Sequence, residues 1–169
     1  MVVDRWRWSL PFELTVDQVE AMADIDADLA QERPMQRLLM GAVGSGKTVV
    51  ALAAMLRAVE NGAQAALMAP TEILARQHAD TLAAILQQSR VRHRLLVGSL
   101  ASREREKTLS EIAAGEVDLI IGTHAIVQVD VQFSRLGLVV IDEQHKFGVR
   151  QRAKLRKEND SPHYLVMTA

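Results

Sequence analysis

The chain has 169 residues, 49% of them hydrophobic and 24% charged, with a net charge of −1 and no cysteine. This suits one globular α/β domain with a real core. It excludes a disulfide scaffold and a cysteine-based zinc site, and argues against a dedicated, basic DNA-binding module.

Residues 1–14 read as a lead-in, and Met1 to Trp8 carries charges where a signal peptide would have an apolar stretch. Nowhere do about 18 apolar residues run together, so no membrane span is expected. Residues 15 to about 31 have the pattern of an amphipathic helix. Residues 37–40 form a short buried strand that enters a glycine-rich loop. Residues 47–61 are a helix ending at Gly62, a good C-cap residue. A strand over 64–69 leads through Pro70-Thr71 into a helix reaching about residue 88. A strand is expected over 93–97, and a charged helix over 102–114, ended by Gly115. Residues 117–121 and 138–141 are buried, β-branched strands; 148–157 a turn and helix; 164–167 the last strand. Strands alternating with helical patterns imply a parallel sheet covered by helices. The chain stops at Met167-Thr168-Ala169, directly after a strand, as a longer protein cut at that point would.

Gly41-Ala42-Val43-Gly44-Ser45-Gly46-Lys47-Thr48 fits the phosphate-loop pattern G-x-x-x-x-G-K-[ST] without a mismatch. Phosphates need many donors close to a bare backbone, and Gly41, Gly44 and Gly46 let the loop curl its N–H groups inward. The following helix adds the positive end of its dipole. In this arrangement Lys47 reaches the β- and γ-phosphates and Thr48 offers its hydroxyl to Mg²⁺. Such a loop needs an acidic partner. Leu138-Val139-Val140-Ile141 ends in Asp142-Glu143-Gln144-His145, which delivers two carboxylates to the carboxyl edge of the sheet. Asp142 is placed to hold Mg²⁺ and Glu143 to activate the attacking water.

Asp142-Glu143-Gln144-His145 after such a strand resembles the Walker B motif of superfamily two helicases. Phe12-Glu13-Leu14-Thr15 with Gln18 resembles their adenine-reading glutamine motif, and Pro70-Thr71-Glu72-Ile73-Leu74-Ala75 their DNA-contacting motif Ia. Gly98-Ser99 and Gly122-Thr123-His124-Ala125 resemble strand-tracking motifs, and Thr168-Ala169 the opening of motif III. The finer resemblance is to the RecG helicases, from about Leu10 to Ala169. It is carried by Pro34-Met35-Gln36-Arg37-Leu38-Leu39, by Gly44 to Ala51, and by Leu136 to His145 followed by Phe147-Gly148-Val149 and Gln151-Arg152. Transcription–repair coupling translocases share much of this pattern.

The resemblance implies a RecA-like P-loop domain over 15–169, cut at motif III, with three α/β/α layers and a mostly parallel sheet. It implies ATP and Mg²⁺ as cofactors, and Gln144 and His145 as residues coupling hydrolysis to movement. It also implies branched DNA (forks and Holliday junctions) as substrate, a second RecA-like domain with an arginine finger, a DNA-wedge domain, and a bacterial cytoplasmic location. Two departures stand out. Ala42 replaces the usual Asp of the loop, and Lys146 replaces an Arg, which keeps the charge but loses the planar fork. Two further readings are a nucleotide-binding module with negligible turnover when isolated, and a small P-loop kinase, for which neither acceptor site nor lid is recognisable.

Several residues carry two readings. Gln18 either folds back on Thr15 in a capping box or hydrogen-bonds adenine. Phe12 either stacks on the base or fills the core. Thr71 is an N-cap or, with Glu72 and Arg76, a DNA contact; Thr123 and His124 stand similarly. The clusters Arg90, Arg92, His93, Arg94 and Arg150, Arg152, Lys154, Arg156, Lys157 read on spacing as solvated faces, and 103–107 as surface. No histidine is expected to bind zinc.

Overall fold

Alternation along the strands sorts the core into two faces. In the strand Gln64–Met68, Ala65 and Leu67 join one apolar cluster while Ala66 joins another with Met68, the period-two pattern of a strand buried on both sides. A computed structural model of the chain describes residues 2–41, 46–128, 130–142 and 162–168. Its six strands are β1 (Gln36–Met40), β2 (Gln64–Met68), β3 (His93–Leu96), β4 (Leu119–Gly122), β5 (Leu136–Asp142) and β6 (His163–Thr168). They form one sheet in the order β1-β6-β5-β2-β4-β3, every neighbouring pair parallel. The helices are α1 (Val2–Ser9), α2 (Val16–Leu29), α3 (Lys47–Glu60), α4 (Glu72–Ile85) and α5 (Ser102–Ala113), with a 3₁₀ turn at His124–Val127. The first face is covered by α1, α2, α3 and Leu82 of α4; the second by Ile112 of α5 and Ile126 of the 3₁₀ turn.

Helix α3 is alanine-rich and buried from Val49 to Leu56. Small side chains let it lie close against the strands, which is why a core poor in aromatics still fills. Helix α1 was not expected. Its Val3 and Trp6 are buried in the first cluster, and the Val3 N–H donates to Glu60 Oε1 of α3 at 2.8 Å. Strand β4 starts two residues later than its apolar run suggested. Before it, the Val117 carbonyl accepts from Gln64 Nε2 at 2.9 Å, and the Asp118 carboxylate takes the Arg92 N–H and guanidinium. Gln64 is buried, but its amide also donates to the Ile112 carbonyl and accepts from Arg135 N–H, so its polar atoms are satisfied. Arg94 pairs with Glu111 at 2.8 Å. Of the basic cluster at 90–94, Arg92 thus ties the start of β3 to that of β4, and Arg94 ties β3 to α5. Within the charged helix, Arg105 reaches Gln128 and Asp130, binding α5 to the segment after the 3₁₀ turn.

At the start of β6, His163 Nδ1 accepts the Met35 N–H at 2.8 Å. Burial pushes its pKa below the ordinary 6.5, against a smaller upward pull from Asp28. His93 shifts the same way through burial and Arg94. A lowered folded-state pKa means that the unfolded chain takes up the proton first. Stability is then complete above about pH 6.5 and lost as pH falls below it. Thermal melts should show the midpoint dropping between about pH 7 and 5. In His163→Gln the drop should be shallower and the midpoint at pH 8 lower; an unchanged pH slope would refute the assignment.

Candidate functional site

A parallel sheet sends every strand's carboxyl end to the same edge, and here that edge gathers the expected motifs. β1 leads into Gly41, β5 ends at Asp142, β2 leads to Pro70-Thr71, β4 to Thr123, and β3 to Gly98-Ser99. Registers pair Met40 with Thr168 and Asp142 with Met167. With strands about 4.8 Å apart, two steps place the ends of β1 and β5 about 10 Å from each other.

The loop is pinned at both described ends. Gly41 N–H donates to the Thr168 carbonyl at 3.2 Å. Gly46 takes φ +81, the left-handed region that favours glycine, and is the N-cap of α3 with no side-chain cap. Lys47 is the first residue of α3, and its ammonium folds back to donate to the Gly41 carbonyl. It therefore links the two described ends of the loop. Thr48 follows it on the first turn and is half-buried. Ala42, Val43, Gly44 and Ser45 lie outside the described residues, as do Glu143, Gln144, His145, the basic cluster from Arg150 to Lys157, and the helix expected over 148–157.

Gln18 takes its capping-box reading. The capping box is formed: Thr15 N–H donates to Gln18 Oε1 at 2.9 Å, and Gln18 N–H to Thr15 Oγ1 at 3.2 Å. Its Nε2 meanwhile lies directly over Gly46, in the space a Cβ there would occupy. The capping bond thus aims the amide at the phosphate loop. Phe12 is 45% exposed, so the core reading has no support and its ring faces outward near this lead-in.

On the acidic side, His78 of α4 donates from Nε2 to Asp142 Oδ2 at 2.8 Å, with side chains only 14% and 16% exposed. Sequence reasoning missed His78. Its partner lies 64 residues away, and no local pattern marks it. Toward the other end of the edge, Glu72 accepts from Ser99 N–H at 3.0 Å and from Ser99 Oγ at 2.6 Å, while Arg76 donates to the same hydroxyl at 3.3 Å. Thr71 Oγ1 caps α4 through Leu74 N–H. Thr123 is buried and its hydroxyl accepts from Ala125 N–H at 3.4 Å, whereas His124 is exposed. Of the five expected DNA contacts, then, Thr71, Arg76 and His124 stand at the surface, and Glu72 and Thr123 brace the loops. A cleft of about 590 Å³ between the end of α2 and the starts of β1 and β6 holds none of these groups.

Residues 15–169 match the DEAD/DEAH box helicase family. The chain belongs to that family. Among relatives of this helicase chain, the ATP-dependent DNA helicase RecG of Streptococcus pneumoniae is 53% identical over 161 residues, 95% of this chain and 24% of the relative. RecG of Bacillus subtilis is 49% identical with the same coverage. The chain therefore spans about a quarter of the length of the curated relatives it matches. A solved RecG bound to a three-way DNA junction superposes with a TM-score of 0.87 at 44% identity, over 97% of this chain and 22% of that one. The UvsW helicase of bacteriophage T4, at 18% identity and TM-score 0.69 over 98% of this chain and 58% of that one, shares the fold. The expected RecA-like architecture, a parallel sheet between helices, is thereby the family's own. Among the described residues no helix is long and apolar enough to cross a membrane.

Proposed function

We propose that this chain is the ATP-binding and hydrolysing motor domain of a RecG-like DNA helicase. The observation that carries this reading is the convergence of Lys47, Gly46 under Gln18, and Asp142 on one sheet edge. In this reading Gln18 and Phe12 receive the adenine, and the loop from Gly41 to Thr48 holds the phosphates. The donor set fits MgATP: an ammonium on the loop, a hydroxyl at Thr48, a carboxylate at Asp142, and a helix start with no side-chain cap. Mg²⁺, held by Thr48 and Asp142, would neutralise charge on the phosphate oxygens. Lys47 holds charge on the same oxygens, and Glu143 orients and deprotonates water. Gln144 and His145 relay the nucleotide state to the DNA side, where Thr71, Arg76 and His124 meet the strand and Glu72 and Thr123 keep their loops in place.

For the whole protein the proposed substrates are replication forks and Holliday junctions, remodelled in repair and recombination in a bacterial cytoplasm. A second RecA-like domain closing over the nucleotide would supply an arginine finger, and a wedge domain would split the junction. An arginine finger contributes about 10³–10⁵ in rate in P-loop systems. These 169 residues alone are accordingly expected to bind nucleotide with little turnover. The test is ATP hydrolysis by a complete protein carrying this domain, with and without three-way junction DNA. Stimulation by the junction, lost in Glu143→Gln while nucleotide binding persists, is the expected result. Hydrolysis indifferent to every DNA, or stimulation only through RNA polymerase as in a transcription–repair coupling translocase, would sink the RecG reading.

A further inference from the structure

We propose that His78 is a positioning residue for the metal carboxylate: its Nε2–H holds Oδ2 of Asp142 and so fixes how that carboxylate faces the nucleotide. The inference rests on the reading of Asp142 as the Mg²⁺ anchor. Asp142 is the last residue of β5, where the sheet's hydrogen bonding ends. A side chain at that point has rotational freedom in χ1 and χ2 that the strand does not remove. A single hydrogen bond of 2.8 Å from a largely buried imidazole restrains it. A carboxylate has no proton to give, so Nε2 of the imidazole carries the proton of this bond. Oδ2 is then committed to His78, and Oδ1 is the oxygen left to face the metal's water shell.

The placement of His78 is rigid. It lies in the middle of α4, flanked by Ala75 and Leu82, both fully buried. The start of the same helix carries Thr71 at its cap, with Glu72 and Arg76 holding Ser99. One helix therefore begins at the candidate strand contacts and supports the metal carboxylate from its middle. Outer hydrogen-bond partners of metal-holding groups typically cost 10–100-fold in metal affinity when removed.

The test is the affinity of a fluorescent ADP analogue for this chain, measured in Mg²⁺ and again in EDTA, so that each variant yields a ratio. A ratio within one protein is insensitive to a loss of folded fraction. In wild type the affinity should rise on adding Mg²⁺. His78→Ala should keep its EDTA affinity and lose about tenfold of that gain. His78→Gln, which places an amide N–H near the same point, should recover most of it. On an Asp142→Asn background, His78→Ala should change nothing further. An undiminished Mg²⁺ gain in His78→Ala, or an equal loss on the Asp142→Asn background, would overturn the proposal and leave His78 as packing. Absence of any analogue binding by wild type would fail the nucleotide-site reading itself, and the positioning role with it.

Discussion

Lys47→Ala is expected to weaken binding of the fluorescent ADP analogue by roughly 10²- to 10³-fold while leaving the fold intact. The ammonium donates to the Gly41 carbonyl. In the proposed nucleotide site, that position would meet phosphate oxygens. Hydrogen bonds to charged groups are worth about 1.5–3 kcal/mol each. Losing two near the lower end of that range, at about 3–4 kcal/mol together, corresponds to that fold-change. Alanine is a good helix former, and the buried stripe of α3 begins only at Val49. The thermal midpoint should therefore hold within a few degrees. Titration of wild type and variant checks both halves of the expectation. A variant binding within about threefold of wild type would show that the phosphates are not held here, whatever the motif.

Gly122→Ala should be the costliest small substitution outside the loop, destabilising the domain by about 3 kcal/mol or more, the upper range for overpacking. Gly122 ends β4 and pairs with Leu96 of β3. A Cβ there would overlap the Leu96 carbonyl oxygen and stand 3.1 Å from Ile126 Cδ1. The obstruction is backbone, which cannot rotate away as a side-chain end can. Yielding would separate β3 from β4 or displace the 3₁₀ turn that carries His124. Gly98→Ala is the control: its nearest neighbour, Glu72 Oε1, would be 3.6 Å from the new atom, an ordinary contact, and a change within about 0.5 kcal/mol is expected. Urea unfolding of the two variants would separate them. Similar midpoints would mean that the sheet edge relaxes more freely than a close-packed core should.

Much of this protein is written locally. The loop from Gly41 to Thr48, the capping box of Thr15 and Gln18, the N-cap at Thr71 and the glycine stops at Gly62 and Gly115 are signals within a few residues of their targets. Gly62 and Gly115 indeed take positive φ at the helix ends. Apolar runs located every strand to within two residues, because a strand buried on both faces, as β2 and β4 are, must be apolar at successive positions; β1, expected to be buried, is instead an edge strand with Leu38 and Met40 exposed. Helix α1 escaped because its charges mask two core residues, Val3 and Trp6, whose burial depends on α3 being there to receive them.

By itself, then, the sequence determined the kind of fold and the ends of its helices, since periodicity and backbone sterics act over short separations. Only the tertiary structure decided the strand order β1-β6-β5-β2-β4-β3 and the pairings made across it. His78 meets Asp142 because β2, which leads into α4, pairs with β5; Glu72 meets Ser99 because β2 and β3 flank β4. Those partners are 64 and 27 residues apart, and neither carries a pattern naming the other. Such contacts arise when the apolar faces of the sheet are buried, and burial has no direction along the chain.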